Sequence, residues 1–501
     1  MHEPQGRLRR IFPVIAALCL TLPTCVPEEP PSESAASPLR PRIDDAFVFA
    51  QERTRATIDE LAGAAPDSFA SLYPVVTKPS PPNLGSWVQK PVEDWRSGFF
   101  PGVVWELYRH GRDPRMRQAA LAWTSHMATL ENDAIDHDLG FRFLSTFGEA
   151  LSVLDERDDP GGVWRGRART AIERSAFSLD RLFDAGSTKV GAYRAFPLSN
   201  DYLAPYPVYI DSMMNVELPL LAWDLAGRPG SGPLRMLYEH AVTHAKTVMA
   251  ENIRTDGSTY HIVQHGEGAG PGAGRIHKKI SVQGFAAEST WSRGQAWALH
   301  GFTTVYRFTR DDPSVEPARF LETATRVADY FLAHLPNDTR DPYNHVPSDF
   351  VPPSDFDAAL GEPEGPWNDA NGDGVLGDRR PGTHAFTARD SSAAAIAASG
   401  LLELGALVDD PGLRERYLGA AENILHSLLT FRAPDGKLAY LAVDSPHRGI
   451  LARGSTSYGG PQQSLSFGDR YFLEAMRRCL ALETRAGEAR RCGRNAQGDP
   501  V

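Results

Sequence analysis

Apolar residues recur at helical spacing along most of this chain. Phe99, Val103 and Leu107 form one stripe, Ile396, Leu401 and Leu404 another, and Phe472, Met476 and Leu480 a third. The pattern predicts helices over 43–63, 97–110, 114–131, 139–155, 162–184, 211–226, 232–251, 291–309, 315–335, 389–407, 411–430 and 467–482. Strand signals are short and local, at 259–263 and 438–443, and read as hairpin pieces. Twelve helices with no strong internal linker imply six helical hairpins. Arranged in a ring, they bury an inner layer of helices against an outer one, so the expected fold is all-α, an (α/α)6 toroid. Three long segments interrupt the helices, about 185–210, 252–290 and 336–388. In a ring such loops gather at one face and shape a cleft. A faint internal echo supports repetition: Trp95-Arg96-Ser97-Gly98 and Trp291-Ser292-Arg293-Gly294 each precede an apolar helix carrying a further tryptophan, Trp105 or Trp297.

Composition narrows the function. The chain has 501 residues, 42% hydrophobic and 23% charged, which is a globular balance. Its net charge of -11 disfavours a nucleic-acid binder, and Lys278-Lys279 is too short a basic run to alter that. No phosphate-binding or dinucleotide loop stands at a strand-to-helix junction, and no Gly-x-Ser-x-Gly elbow is present. The N-terminus reads as an export signal. Arg7, Arg9 and Arg10 precede an apolar run over 11–22, too short for the about 20 residues that span a bilayer. Leu22-Pro23-Thr24-Cys25 resembles a bacterial lipobox, with Thr24 in place of the usual small residue. Residues 26–42, rich in Pro, Ser and Glu, read as a flexible tether. The expected organisation is a signal at 1–25, a linker at 26–42, a catalytic domain at 43–485 and a tail at 486–501. The expected location is periplasmic or on the outer membrane, with Cys25 as the lipid anchor or, alternatively, simple cleavage. Cys479 and Cys492 are either a disulfide or two free thiols.

Two motifs open helices with an aspartate: His137-Asp138-Leu139-Gly140-Phe141 and Asp211-Ser212-Met213-Met214-Asn215. One reading makes both aspartates N-caps that satisfy orphan backbone N–H groups. The other makes them a carboxyl pair facing one pocket, where burial and mutual repulsion raise a pKa against the pull of the helix N-terminus. Elsewhere, Asp369, Asn371, Asp373 and Asp378 offer oxygens at alternate positions around Gly374. That suits a structural Ca²⁺ ion, or an ordinary Asn/Asp/Gly turn; Arg380 stands where a full calcium loop has glutamate.

Taken together, the two aspartate motifs, Trp291-Ser292-Arg293-Gly294-Gln295-Ala296-Trp297, Asp390-Ser391-Ser392-Ala393, Ser97-Gly98-Phe99-Phe100-Pro101-Gly102 and Gly468-Asp469-Arg470-Tyr471-Phe472-Leu473-Glu474-Ala475 resemble the unsaturated glucuronyl hydrolases, glycoside hydrolase family 88. The likeness runs from about 93 to 478 in the family's order. It implies an (α/α)6 toroid that removes Δ4,5-unsaturated uronic acid from lyase-made oligosaccharides by hydrating the C4=C5 bond, with no cofactor. By resemblance Asp211 is the general acid and base, and Asp138 is the second required carboxyl. His137, His265, Gln283 and Arg293 match sugar contacts, with Arg293 expected to grip the uronate carboxylate. Trp297 and Trp95 match aromatic walls, and Phe196 stands where the family tends to place a tryptophan. The alternatives are unsaturated rhamnogalacturonyl hydrolysis on the same fold, and a non-catalytic glycan-binding lipoprotein.

Overall fold

The computed structural model describes residues 39–65, 68–183, 190–197, 206–266, 273–336, 349–358, 389–433 and 435–485. The leader, Cys25, residues 26–38, Cys492 and the acidic loop of Asp369, Asn371, Asp373 and Asp378 lie outside them. The tether expected over 26–42 is corrected at its end, because residues 39–42 already belong to the first helix, where Leu39 is buried. Fourteen α-helices among the described residues form twelve rods: α1 (Leu39–Ala64), α2 (Phe99–Gly111), α3 (Pro114–Met127), α4 (Leu139–Phe143) running through a π turn into α5 (Glu149–Val153), α6 (Val163–Asp180), α7 (Ser212–Asn215) running into α8 (Glu217–Leu225), α9 (Pro233–Glu251), α10 (Ser292–Thr309), α11 (Pro317–Ala333), α12 (Ser391–Leu407), α13 (Pro411–Thr430) and α14 (Ser466–Arg485). Each rod falls on a predicted helix.

The rods alternate between two layers. Helices α2, α4–α5, α7–α8, α10, α12 and α14 each touch the next, and α14 returns to α2, closing an inner ring. The other six pack outside it: α1 against α2 and α14, α3 against α2, α6 against α5, α9 against α8, α11 against α10, and α13 against α12. This is the (α/α)6 toroid. Inner helices are buried on nearly every side. Residues 292–305 of α10 and 391–402 of α12 are buried without interruption. Small residues make the contact between them close. A methyl group at Gly140 of α4 would come within 2.5 Å of the Asn215 Cα on α7, and one at Gly301 of α10 within 2.6 Å of the Met213 Cβ. No helix among the described residues is long and apolar enough to cross a membrane.

The loops supply three small antiparallel sheets. Strands β1 (Tyr73–Thr77) and β2 (Trp87–Lys90) form one; β3 (Tyr206–Tyr209), β4 (Ile262–His265) and β5 (Ile276–Ile280) another; β6 (Gly454–Ser455) and β7 (Gln462–Gln463) the third. The 259–263 signal falls at the start of β4. The 438–443 signal gives only isolated bridges and a short 3-10 turn, Ala442–Asp444. Cys479 is disulfide-bonded, which resolves the choice left open for it.

A lattice of largely buried ion pairs links the inner helices. Arg470 of α14 bonds Glu149 of α5 and Glu474 of its own helix, and lies 3.4 Å from Glu106 of α2. Arg478 binds Glu403 of α12 at 2.8 Å, Glu403 accepts from Arg307 of α10 at 2.6 Å, and Arg307 reaches Glu217 of α8 at 2.7 Å. Every inner rod contributes a charge. Part of the lattice lines an axial cavity of about 300 Å³ that also holds His300. Burial alone would raise the Glu403 carboxyl, but Arg478 and Arg307 outweigh it and hold the pKa down at about 2. Removing one partner leaves the others charged and buried. Arg470→Met is therefore expected to destabilise the fold by about 3–5 kcal/mol, read as a fall in melting temperature. An unchanged melting temperature would show that the lattice carries no stability.

Candidate active site

The inner helices present their N-termini to the loops. Here the first question is what the two motif aspartates do. Asp138 immediately precedes α4 and Asp211 immediately precedes α7, both in N-cap position, yet neither side chain makes a capping hydrogen bond. Elsewhere in the same chain aspartates at this position do cap: Asp113, Asp390 and Asp410 each accept a backbone N–H of the helix that follows. The capping reading of Asp138 and Asp211 thus fails. Their carboxyls point instead toward one another and His137, and one ligand atom from each of the three lies within 4.8 Å of the rest.

Neighbouring groups fix this cluster tightly. His137 Nε2 lies 3.5 Å from Asp138 Oδ1. The Asn215 amide is held at both ends. Its oxygen accepts the Phe141 N–H at 2.8 Å, and its nitrogen donates to Asp138 at 3.2 Å. One residue of α7 thereby ties the two aspartate-bearing helices together. Behind Asp138, the Asp136 carboxylate accepts the Asp138 backbone N–H and both terminal nitrogens of the wholly buried Arg142. The same guanidinium donates to the carbonyls of Glu93 and Asp94. Arg142 therefore joins the loop of His137 and Asp138 to the loop that carries Trp95.

Burial dominates the electrostatics. It pushes the Asp138 carboxyl up to about 7, assisted by Asp136 and Asp211 and opposed by His137 and Arg142. Burial also raises Asp211, with His137 and Arg293 working against it. The Asp211 Oδ1 atom is buried and has no hydrogen-bond partner among the described residues. A buried carboxyl with a raised pKa and an uncommitted oxygen is suited to donate a proton.

The other expected residues divide. Phe196 faces His137 and Tyr209, with ring centroids at 6.5 and 6.3 Å, and joins the site. Trp95 is part-exposed and leans on Phe99, Phe141 and Phe467, a position that suits a wall. Trp297 is 1% exposed behind Phe141 and Tyr471, so it is core rather than wall. Gln283 donates to the Thr456 carbonyl at 3.1 Å. Arg293 converges on the same loop. Its side chain is wholly buried, Nη1 donates to Asp390 and the Ser455 carbonyl, and Nη2 donates to the Thr456 carbonyl at 2.7 Å. With both ends of its fork engaged, Arg293 positions the Ser455–Thr456 loop instead of offering a bidentate grip to a carboxylate.

His265 does not join the cluster. It is buried at the far end of β4, past an irregularity in the β4–β5 register, where Nε2 meets Glu251 at 2.6 Å and Nδ1 meets the Tyr206 carbonyl at 3.3 Å. The histidine that belongs here is His261, just before β4. Its ring stacks on Trp291 at 4.5 Å and meets Tyr209 edge-on at 5.5 Å. Burial, then the charges of Arg293 and His137, lower its pKa to about 3, so it is neutral. Nδ1 accepts the Val282 N–H, which leaves Nε2 carrying the proton, and that atom is buried without a hydrogen-bond partner among the described residues. Sequence reading missed His261 because the resemblance pointed to His265 instead. Strand alternation places both on one face, about 13 Å apart.

No family model matches the chain. An unsaturated glucuronyl hydrolase of Formosa agariphila is 29% identical over 392 residues, 77% of this chain and 80% of that protein. Among solved structures, an unsaturated glucuronyl hydrolase specific for heparin superposes with a TM-score of 0.64 at 27% identity, over 88% of this chain and 98% of that one. An enzyme of the same kind solved with dGlcA-Glc-Rha-Glc gives 0.64 at 25%, over 88% and 96%.

The Asp138 shift has a consequence for stability. The folded carboxyl titrates near 7 and the unfolded one near ~3.9, so between these values the folded state holds a proton that the unfolded state lacks. Its contribution is complete below the unfolded value and lost as pH rises through the folded one. Asp138→Asn, which stays neutral, is expected to melt above wild type at pH 8, with the gap closing toward pH 4. A gap that widens as pH falls would contradict the raised pKa.

Proposed function

Starting from its kinship with the unsaturated glucuronyl hydrolases, we propose that this chain is a glycoside hydrolase that removes Δ4,5-unsaturated uronic acid from the non-reducing end of lyase-made oligosaccharides. The observation that carries this reading is the pair of aspartates that sit at helix N-caps, cap nothing, and share a buried pocket with His137.

The chemistry fits such a pair. Asp211 delivers a proton to C4, and positive charge develops at C5, shared with the ring oxygen. The same carboxylate then takes a proton from water as the water oxygen bonds to C5. The resulting hemiketal collapses: C5 becomes a carbonyl, its bond to the ring oxygen breaks, and C1 releases the remaining sugar. Burial and the charge of Asp136 favour the protonated form of Asp211, and Asn215 and His137 hold Asp138 in place. His261 offers a neutral N–H donor to the sugar. Trp95, Phe196 and Tyr209 supply apolar surface for the ring faces. An anionic sugar is favoured by the helix N-termini that open on this end of the ring, whose backbone dipoles point their positive ends toward it.

The leader and tether support an exported protein anchored through Cys25, and the disulfide at Cys479 is in keeping with an oxidising compartment.

Loss of the ultraviolet absorbance of the C4=C5 uronate in a panel of lyase-made disaccharides tests the reaction. Wild type is expected to consume the chromophore, and Asp211→Asn to be slower by ~10²–10⁴-fold with its melting unchanged. Because the donor must be protonated, the wild-type rate is expected to fall as pH rises through the titration of Asp211, whose pKa burial raises. Full activity of Asp211→Asn would refute the assignment. Turnover of unsaturated rhamnogalacturonyl fragments alone would move the substrate to that class.

A further inference from the structure

Behind the catalytic cluster lies a buried polar chain that the reaction itself does not use. His244, on the outer helix α9, is wholly buried. Its Nδ1 accepts the Tyr193 backbone N–H at 3.0 Å. Its Nε2 meets Ser212 Oγ at 2.8 Å, and that hydroxyl donates to the Tyr209 carbonyl. Since Nδ1 is an acceptor, the proton is on Nε2, and every link has a defined direction: Tyr193 N–H to His244, His244 to Ser212, Ser212 to Tyr209.

The ends of this chain are what give it meaning. Ser212 is the residue after Asp211. Tyr193 lies two residues before Ala195, whose carbonyl accepts the His137 N–H at 2.9 Å and whose own N–H donates to Pro207 on β3. One imidazole therefore bridges the segment that holds His137 and the helix start that holds Asp211. Those two residues come from different inner helix starts. No hydrogen bond between their side chains is present to set their separation, so it depends on what lies behind them.

We infer that His244 is a positioning residue for catalysis, fixing through Ser212 and Tyr193 the separation of Asp211 from His137. The inference rests on the reaction proposed above. Burial lowers the His244 pKa to about 3, with a further push from His137, so the bridge adds no charge beside carboxyls that must stay protonated. A cation in that place would favour the ionised acids.

The test is a set of substitutions read by turnover of an unsaturated disaccharide. Ser212→Ala cuts the chain at its centre with the smallest change of volume. Its kcat is expected to fall about tenfold or more, the scale that a misplaced acid costs, with KM within about twofold of wild type. His244→Leu is expected to do the same, and the double variant to lose no more than either single one, since both break one chain. His244→Gln can accept with its oxygen and donate with its nitrogen, and is expected to recover most of the rate. An unchanged kcat in Ser212→Ala, or losses that multiply in the double variant, overturns the inference. Should His244→Leu fail to fold, Ser212→Ala against His244→Gln decides it. Wild-type protein that turns over no unsaturated disaccharide overturns the underlying reaction, and the inference with it. Wild-type turnover with a fully active Ser212→Ala overturns the inference alone.

Discussion

A ring of helices needs something to set the angle at which each inner rod stands beside the next, because smooth apolar packing alone tolerates slippage. In this protein buried charge does that work. The arginines and glutamates of the inner helices interlock from α8 through α10, α12 and α14 to α2 and α5. A misplaced helix would strand a charge in a dry interior, which costs far more than a misplaced leucine. The close contacts at Gly140 and Gly301 then bring neighbouring rods near enough for one aspartate pair to meet. The meeting of the two aspartates thus depends on how the inner rods are held together.

At the N-terminal end two physical effects compete. Helix dipoles and unsatisfied N–H groups favour carboxylates that are ionised, whereas the proposed reaction needs one that is protonated. The competition is decided by withholding the usual hydrogen bonds. Asp138 and Asp211 accept no capping N–H, while Asp390, at the start of α12, accepts from Ser392 and Ser455. Burial then dominates, and both carboxyls rise. Arg293, the nearest full positive charge that acts on Asp211, is tied to Asp390 and two carbonyls, which limits its pull.

Much of this was legible in the sequence. Helical periodicity is a local property, and it located all twelve rods and hence the toroid. The aspartate motifs were legible too, since a paired Asp at two helix starts offers only two readings, capping or chemistry. Choosing between them needed the hydrogen bonds. What escaped was anything decided by the partner of a side chain. Arg293 looked like a carboxylate grip until its fork was seen to be occupied. His265 and His261 share a strand face, and only the contacts of each ring distinguish them. The loop between α13 and α14, which brings Ser455 and Thr456 to Arg293 and Gln283, carried no signal of length or composition that set it apart from the three segments expected to form the cleft. Conversely, Arg142 was invisible: an arginine inside a short helix says nothing of the two loops that it joins.

The confinement of the ion-pair lattice to the inner rods has a bearing on how such an enzyme can diversify. An inner helix such as α10, with 18 residues, spans about 27 Å from one end to the other. The charge lattice and the crowded glycines lie within these rods, while β3–β5 and the loop around Ser455 belong to the connections between rods. Those segments can drift in length and composition without disturbing either the charge lattice or the crowded contacts of the inner ring. Descent from a common skeleton can therefore yield enzymes for different polymers by exchange of rims alone, and divergence should concentrate in the loops while the glycines between inner helices stay fixed.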